Sequence, residues 1–512
     1  NMAETIISPG VFTRENDISF IQPAPVAAGA AIIGPAVKGP VEVPTLVTSY
    51  NDYVRKFGST FASGSTSYEF LTSIAVKNYF QQGGNSVLVN RVVSGSFTRA
   101  ANTHVSASDK SSTQPFTLET LGKGTIYNNA TSATDALVGT NYENSDNSLV
   151  SGSADNLRWE ISNINNEQGT FTLSIRRGDD SLKNKVVLET FNDCSLDPNS
   201  SNYIESIVGT QYQQINTGES PYYVETIGEY TNKSNFVRVA SVNLKTLDYL
   251  GTDGLTVGVD IAEASYSASL PIAQSGSFYN AVGGLTNMEG ANNFFKDINN
   301  TNVQGLVGTD YANIISVLEN TDDYQFNIIS APGLAYEFAT HKTQLDSIIS
   351  LAETRGDCIA VIDLVSHGDT ISNTVTQAGL LNSSYAAAYW PWLQTQSATG
   401  RNEFVPASVV IPGVYAFTDS SSAPWFAPAG LVRGGITGVI QAERRLTRTQ
   451  RDTLYSKKVN PIASFPGQGI SVFGQKTLQT KSSALDRVNV RRLLIELKKF
   501  IGDQARNLVF EQ

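Results

Sequence analysis

The chain has 512 residues, with 36 Lys and Arg against 47 Asp and Glu, a net charge of −11 and a charged fraction of only 16%. At about 150 residues per domain this is roughly three domains' worth of chain, long enough to bury several cores, and its acidic balance argues against a nucleic-acid partner, whose phosphates need clustered Lys and Arg. Two cysteines (Cys194, Cys358) and three lone histidines (His104, His341, His367) fit neither a disulfide framework nor a zinc spacing. The apolar stretch at residues 23–35 is too short for a bilayer and follows no basic segment, so neither a membrane span nor a signal peptide is expected. The charge is unevenly divided. Residues 433–512 hold 15 basic and 6 acidic groups, a balance of +9, while the rest holds 21 against 41, a balance of −20. A basic tail on an acidic body suits an acidic partner, including another copy of the same body.

In chain order, residues 6–20 alternate apolar and polar side chains, with Ile6, Ile7, Val11, Phe12, Ile18 and Phe20 as the main apolar members. This predicts a strand without a nearby hairpin partner, one that pairs with a distant strand of its own chain or adds to another chain's sheet edge. Residues 26–98 read β-β-α-β: buried strands at 30–34 and 41–47, then a helix, then a strand at 85–93. Thr66-x-x-Glu69 predicts a capping box opening that helix, which carries Tyr68, Leu71, Ala75 and Tyr79 and stops at Gly83-Gly84.

Near Ser94 the composition shifts. Residues 95–285 are rich in Asn, Ser, Thr, Asp and Gly, with short β runs at 170–175 and 236–240 between turn signals, which predicts a β-rich insertion. Helix–strand alternation resumes at about Asn287. Tyr311, Ile314, Ile315 and Leu318 form a helical face before a strand at 325–329, and Leu345, Ile348, Ile349 and Ala352 form another before a strand at 358–363. Such alternation predicts a sheet covered by helices. A turn-rich stretch at 424–430 precedes an expected Gly-broken helix at 431–445, and Thr447-x-x-Gln450 caps the helix after it. The last helix places Val490, Leu493, Leu494, Leu497, Ile501 and Leu508 on one side, with Arg491, Arg492, Lys498, Lys499 and Arg506 supplying its charge. The fold class expected is α+β and multidomain.

Chemistry-bearing motifs are scarce. There is no G-x-S-x-G elbow and no G-x-x-x-x-G-K-[ST] loop, and Gly467-Gln468-Gly469 followed by Gly474 does not fit G-x-G-x-x-G. Asp179-Asp180 and Asp322-Asp323 read as turn caps, since sequence neighbours do not face each other on a helix or strand. His367, with Asp363 and Asp369, follows a strand where open α/β sheets bind ligands. No nucleophile is placed beside it, so it reads as a solvated loop histidine. Arg-Gly-Asp occurs at 177–179 and 355–357, a tripeptide too short to carry meaning. No metal, cofactor or catalytic residue is expected.

The ordered motif series resembles the tail sheath proteins of contractile-tailed bacteriophages. Ser8-Pro9-Gly10-Val11-Phe12 resembles the family's N-terminal arm, and residues 33–40 followed by 50–58 its first core segment. Residues 196–204 are similar to a phrase of its inserted domain. Most specific are Pro424-Trp425-Phe426-Ala427-Pro428-Ala429-Gly430, Val459-Asn460-Pro461-Ile462, residues 467–478, and Arg487-Val488-Asn489-Val490-Arg491-Arg492-Leu493, four pieces in this order near the C-terminus.

The resemblance implies a linking arm at 1–25, a discontinuous α/β inner domain built from both chain ends (26–98 and 286–512), and an inserted β-rich outer region at 99–285. It implies a structural subunit, not an enzyme, that stacks as hexameric rings in a helical sleeve around a tail tube. Its partners would be other sheath subunits, the tube protein, the baseplate and the tail terminator, with no nucleic acid and no membrane. The sleeve contracts to drive the tube through the host envelope, in a virion assembled in the host cytoplasm. Ile6, Ile7, Val11, Phe12, Ile18 and Phe20 would augment a neighbour's sheet. Arg491, Arg492, Lys498, Lys499 and Arg506 would face the tube or the next subunit. Family members continue past Asn507-Leu508-Val509-Phe510 into a second linking strand, so a chain ending at Gln512 is expected to be monomeric. The alternatives are an α/β enzyme with a β-rich specificity domain, or another virion or secretion-machine interaction protein.

Overall fold

The computed structural model describes residues 26–63, 66–105, 114–130, 143–246, 270–284 and 294–506. The expected arm at 6–20 and Leu508 lie outside them. The described residues form a mixed α/β structure with several sheets.

The largest sheet has eight strands, in the order Thr45–Val47, Val87–Arg91, Val26–Gly34, Tyr324–Ala335, Ile359–Asp363, Ala386–Trp390, Val459–Phe465 and Gly469–Val472. The six central strands are parallel and both edge strands antiparallel. Runs such as Ile-Ala-Val-Ile and Ala-Ala-Ala-Tyr-Trp suit this position, because a parallel strand is covered on both faces. Alternation then sorts the side chains: Ala30 and Ile32 enter one core, Ala31 and Ile33 the opposite one. The first core is closed by helices Tyr50–Phe57, Leu71–Gln81, Ile411–Ser421 and Val488–Arg506, and the second by Ala312–Val317, Ala339–Arg355, Ile371–Gly379 and Arg448–Ser456.

Local chemistry sets several helix ends. Ser49 caps Tyr50–Phe57 by accepting from the Asp52 N–H at 3.1 Å, and Thr447 and Gln450 form the expected capping box. Gly356 ends Ala339–Arg355 at φ 70°, its N–H bonded to the Ala352 carbonyl, a left-handed position that costs glycine nothing.

Four local expectations are corrected. Thr66–Glu69 is a strand paired with Thr60–Ser63, and the helix begins at Leu71. The buried Phe61 and Tyr68 rings stack across the hairpin at 5.6 Å, and this cross-strand pair outweighs the cap. The Glu69 carboxylate instead accepts from Ser73 Oγ at 2.6 Å and the Ala398 N–H at 2.5 Å. Second, the strand expected at 41–47 is only Thr45–Val47, since Glu42 takes a positive φ of 56° and Pro44 offers no donor. Third, the helix expected at 431–445 is one turn, Gly430–Arg433, followed by strand Val439–Ala442 paired with Leu393–Gln396. Gly434 sits where an added Cβ would lie 2.7 Å from the Gly430 and Val472 carbonyl oxygens, and β-branched Val439 and Ile440 favour strand. Fourth, the strand expected at 325–329 extends to Tyr324–Ala335.

A second, antiparallel sheet orders strands Val187–Ser195, Thr170–Arg177, Leu157–Asn165, Gln274–Tyr279, Arg99–Asn102, Phe116–Lys123 and Val237–Val242. Its core holds Trp159, whose indole N–H bonds Thr103 Oγ1 and the Ser277 carbonyl, and Phe116 stacked on Phe171 at 5.8 Å. Beside it lies an almost solvent-free ion network. Asp180 binds Arg176 at 2.7 Å and Arg158 at 3.2 Å, and Arg158 also binds Glu143 at 2.5 Å. Asp180 therefore caps its turn, accepting from the Val186 N–H at 3.0 Å, and is also the hub of this network. At 322–323 the backbone N–H groups bond the Asn320 side chain, so Asn320 supplies the turn.

The two large sheets meet along a polar seam. Lys38 pairs with Asp155 at 2.8 Å, the Gly39 N–H donates to Tyr127 Oη at 3.1 Å, and buried Arg91 donates to the Gly39 and Lys123 carbonyls.

Candidate functional site

In an open α/β sheet, ligands lie beyond the carboxyl ends of the strands where the strand order reverses. Here that point lies between Val26–Gly34 and Tyr324–Ala335, and Gln304 fills it. Its side chain is 1% exposed, accepts from the Leu71 N–H at 2.8 Å and donates to the Pro332 carbonyl. His367 is not the solvated residue expected. Its ring packs against Phe404, Phe295 and Trp392, with Nε2 3.6 Å from Glu443. Burial, with nearby Lys296, lowers its pKa and favours neutral imidazole.

Asp363 lies apart from His367 in hydrogen bonding: Ser408 donates to it through N–H at 3.1 Å and Oγ at 2.5 Å. Burial pushes its carboxyl up to about 7, against the lowering effect of those two bonds. Both cysteines are buried and their pKa values raised by burial, the opposite of an activated thiolate. Among the described residues no cluster of three His, Cys, Asp or Glu could hold a metal, and no helix is long and apolar enough to cross a membrane. In both Arg-Gly-Asp tripeptides the arginine and aspartate pair with each other.

The informative surfaces are elsewhere. Helix Val488–Arg506 packs through Val488, Arg491, Arg492 and Ile495, a spacing that forms one face. Arg491, 5% exposed, bonds Ser384 Oγ and lies 4.0 Å over the Tyr385 ring. Arg492, 3% exposed, pairs with Asp419 at 2.5 Å over Tyr415. These two guanidiniums anchor the helix to its own subunit. Lys498 reaches Tyr385 Oη at 3.2 Å, and Lys499 donates to Asn327 Oδ1. Arg506 ends the helix, and its side chain lies outside the description. The expected apolar stripe is turned partly outward: Leu497 and Ile501 are exposed, and so is Phe500 beside them.

A second apolar surface was missed. Trp425, Phe426, Leu431 and Val432 are all exposed, Val432 by 82%. Arg433 stacks over Phe426 at 5.0 Å and donates to the Ala427 carbonyl. The signal was available in the motif Pro424–Gly430, whose Trp and Phe stand among turn residues with no periodicity to bury them. Beside it, the Val472 N–H donates to the Gly434 carbonyl and the Ile436 N–H to the Ile470 carbonyl, so 434–436 covers part of the outer edge of Gly469–Val472. Exposed apolar clusters of this kind mark contact surfaces.

Comparison with known proteins agrees with the motif series. Residues 305–478 match the family described as phage tail sheath protein central domain. The chain is 40% identical over 139 residues to the tail sheath protein of Vibrio phage KVP40, covering 27% of this chain and 20% of that protein. It is 32% identical over 211 residues to the tail sheath protein of Enterobacteria phage T4, covering 38% and 32%. The chain thus spans about a fifth and a third of the length of these two relatives. A crystal structure of a sheath tail protein from Listeria innocua shares the fold, with a TM-score of 0.51, 10% identity and coverage of 92% of this chain and 74% of that one. The resemblance to tail sheath proteins is borne out.

Proposed function

We propose that this chain is a structural subunit of a contractile phage tail sheath, polymerising around a tail tube and shortening to drive the tube through a host envelope. The observation that carries this reading is the tail-sheath match over residues 305–478, which includes four of the six central parallel strands. The family matched is a sheath family rather than an enzyme family, and the plugged switch point and inert cysteines are compatible with that.

In this reading residues 26–98 and 286–512 are the inner part of the subunit, 99–285 the outward insertion and 1–25 a linking arm. Ile6, Ile7, Val11, Phe12, Ile18 and Phe20 alternate as a strand added to a neighbour's sheet edge would. Lys498, Lys499 and Arg506 are the cations proposed to meet the tube or next subunit, while Arg491 and Arg492 hold the helix that presents them. The partners are other sheath subunits in hexameric rings, the tube protein, the baseplate and the tail terminator. The setting is the virion tail, assembled in the host cytoplasm.

The test is electron microscopy of the protein produced with a tail tube protein. Ringed tubes in two diameters are expected; bare tubes beside soluble protein would overturn the reading.

A further inference from the structure

The seam between the two large sheets is hollow. A cleft of about 770 Å³ opens there, within the usual range of small-ligand pockets, about 300–1,000 Å³. Leu121, Leu157, Leu188 and Phe236 supply apolar wall, and the cationic side chains on it are Lys38, Arg55, Lys56, Arg99 and Arg177.

Most of those cations are already matched. Lys38 pairs with Asp155, Arg55 and Lys56 share Asp52, and Arg177 pairs with Asp179. Arg99 differs. No carboxylate among the described residues lies within ion-pair distance of it, and its Nη2 donates only to the Gln213 carbonyl at 3.3 Å. Its guanidinium lies 4.5 Å from the Tyr212 ring, which Arg238 also contacts at 4.3 Å. Arg238 has Glu119 at 2.6 Å, whereas Arg99 Nε is buried without a hydrogen-bond partner. That Nε is sealed from the cleft, so only the rest of the guanidinium can meet a ligand there, and burial together with Arg238 lowers the Arg99 pKa, partly offset by Glu119 and Tyr212. An anion in the cleft beside the guanidinium would favour its charged form.

We propose that the cleft binds an amphiphilic carboxylate, with its charged end on the cleft-facing part of the Arg99 guanidinium and its alkyl or aryl body against Leu121, Leu157, Leu188 and Phe236. A guanidinium edge suits a carboxylate in geometry and charge, and the apolar wall accounts for the rest of the volume. The chemistry is the same for a free amphiphile and for an acidic side chain with apolar neighbours on another copy. The proposal does not depend on the sheath reading.

The probe is octanoate, with octanol as its uncharged counterpart, titrated calorimetrically into the protein at low salt. Saturable octanoate binding is expected, with octanol weaker by about tenfold. Arg99→Gln should weaken octanoate by about tenfold and leave octanol unchanged, while Arg99→Lys recovers part of the loss. Leu188→Glu, which brings a carboxylate into the cleft, should block octanoate even if Arg99→Gln fails to fold. Sedimentation with and without octanoate separates the sources: self-association dissolved by octanoate identifies another copy, and unchanged sedimentation identifies a free amphiphile. Absence of saturable binding, equal binding of octanol, or full binding by a folded Arg99→Gln protein would each overturn the proposal.

Discussion

Asp363 ends strand Ile359–Asp363 with its carboxyl wholly buried, and Ser408 holds both of its oxygens. Its folded pKa, raised to about 7 from a reference of 3.8, has a definite sign in stability. Between those values the folded chain keeps the proton and the unfolded chain releases it. The stabilisation is therefore complete in acid and is lost as pH rises through about 7, by at most about 4 kcal/mol for three pH units. Asp363→Asn can keep the Ser408 contacts and cannot ionise. Its stability relative to wild type should accordingly rise between pH 5 and pH 8, as checked by denaturant melts at the two values. A difference independent of pH would show that Asp363 titrates normally. Sequence inspection had placed this aspartate beside a candidate crevice without its partner, because Ser408 is 45 residues away and no spacing rule joins them.

Helix Val488–Arg506 shows the same limit at the scale of an element. Its existence was legible from 3.6-residue periodicity, but its orientation was not. Two arginines won the buried face because Asp419, Ser384 and the Tyr385 and Tyr415 rings receive them. Long cationic side chains can cover apolar surface in this way while their heads find partners. Ile495→Ala should cost about 2–5 kcal/mol, as for other buried aliphatic truncations. Phe500→Asp should change stability by less than about 0.5 kcal/mol, yet it should impair sheath assembly if the exposed end is a contact surface. Thermal melts and electron microscopy of the same two variants check both halves. Charge reversal at Lys498 and Lys499 should loosen tube attachment while leaving the fold intact, and unaltered assembly around tubes would remove these lysines from that role. The hairpin of Thr60–Ser63 and Thr66–Glu69 is the converse case. There a local helix signal was present and lost to a cross-strand aromatic pair.

Across the whole molecule, the central sheet exists only when two distant parts of the chain meet, since Val26–Gly34 lies between Val87–Arg91 and Tyr324–Ala335. A piece covering residues 286–512 should therefore expose the edge of Tyr324–Ala335 and Ile328 on the face that Leu71–Gln81 covers, and aggregate. Co-expression with residues 26–98 should restore soluble protein, with light scattering and circular dichroism as the readouts; a soluble, folded 286–512 piece would contradict this dependence. Composition and periodicity alone determined the acidic body with its basic tail, the β-rich middle and the helix–strand alternation that follows it, while short motifs in order carried the sheath resemblance. Each of these rests on neighbours in sequence, or on residue types whose preferences act locally. Tertiary structure decided which strands lie side by side, which helix face is buried, where the arginines spend their charge and that the seam is hollow. Those outcomes depend on burial and pairing between residues tens to hundreds of positions apart, where a local preference worth a few tenths of a kcal/mol yields to a packed contact worth about one or more.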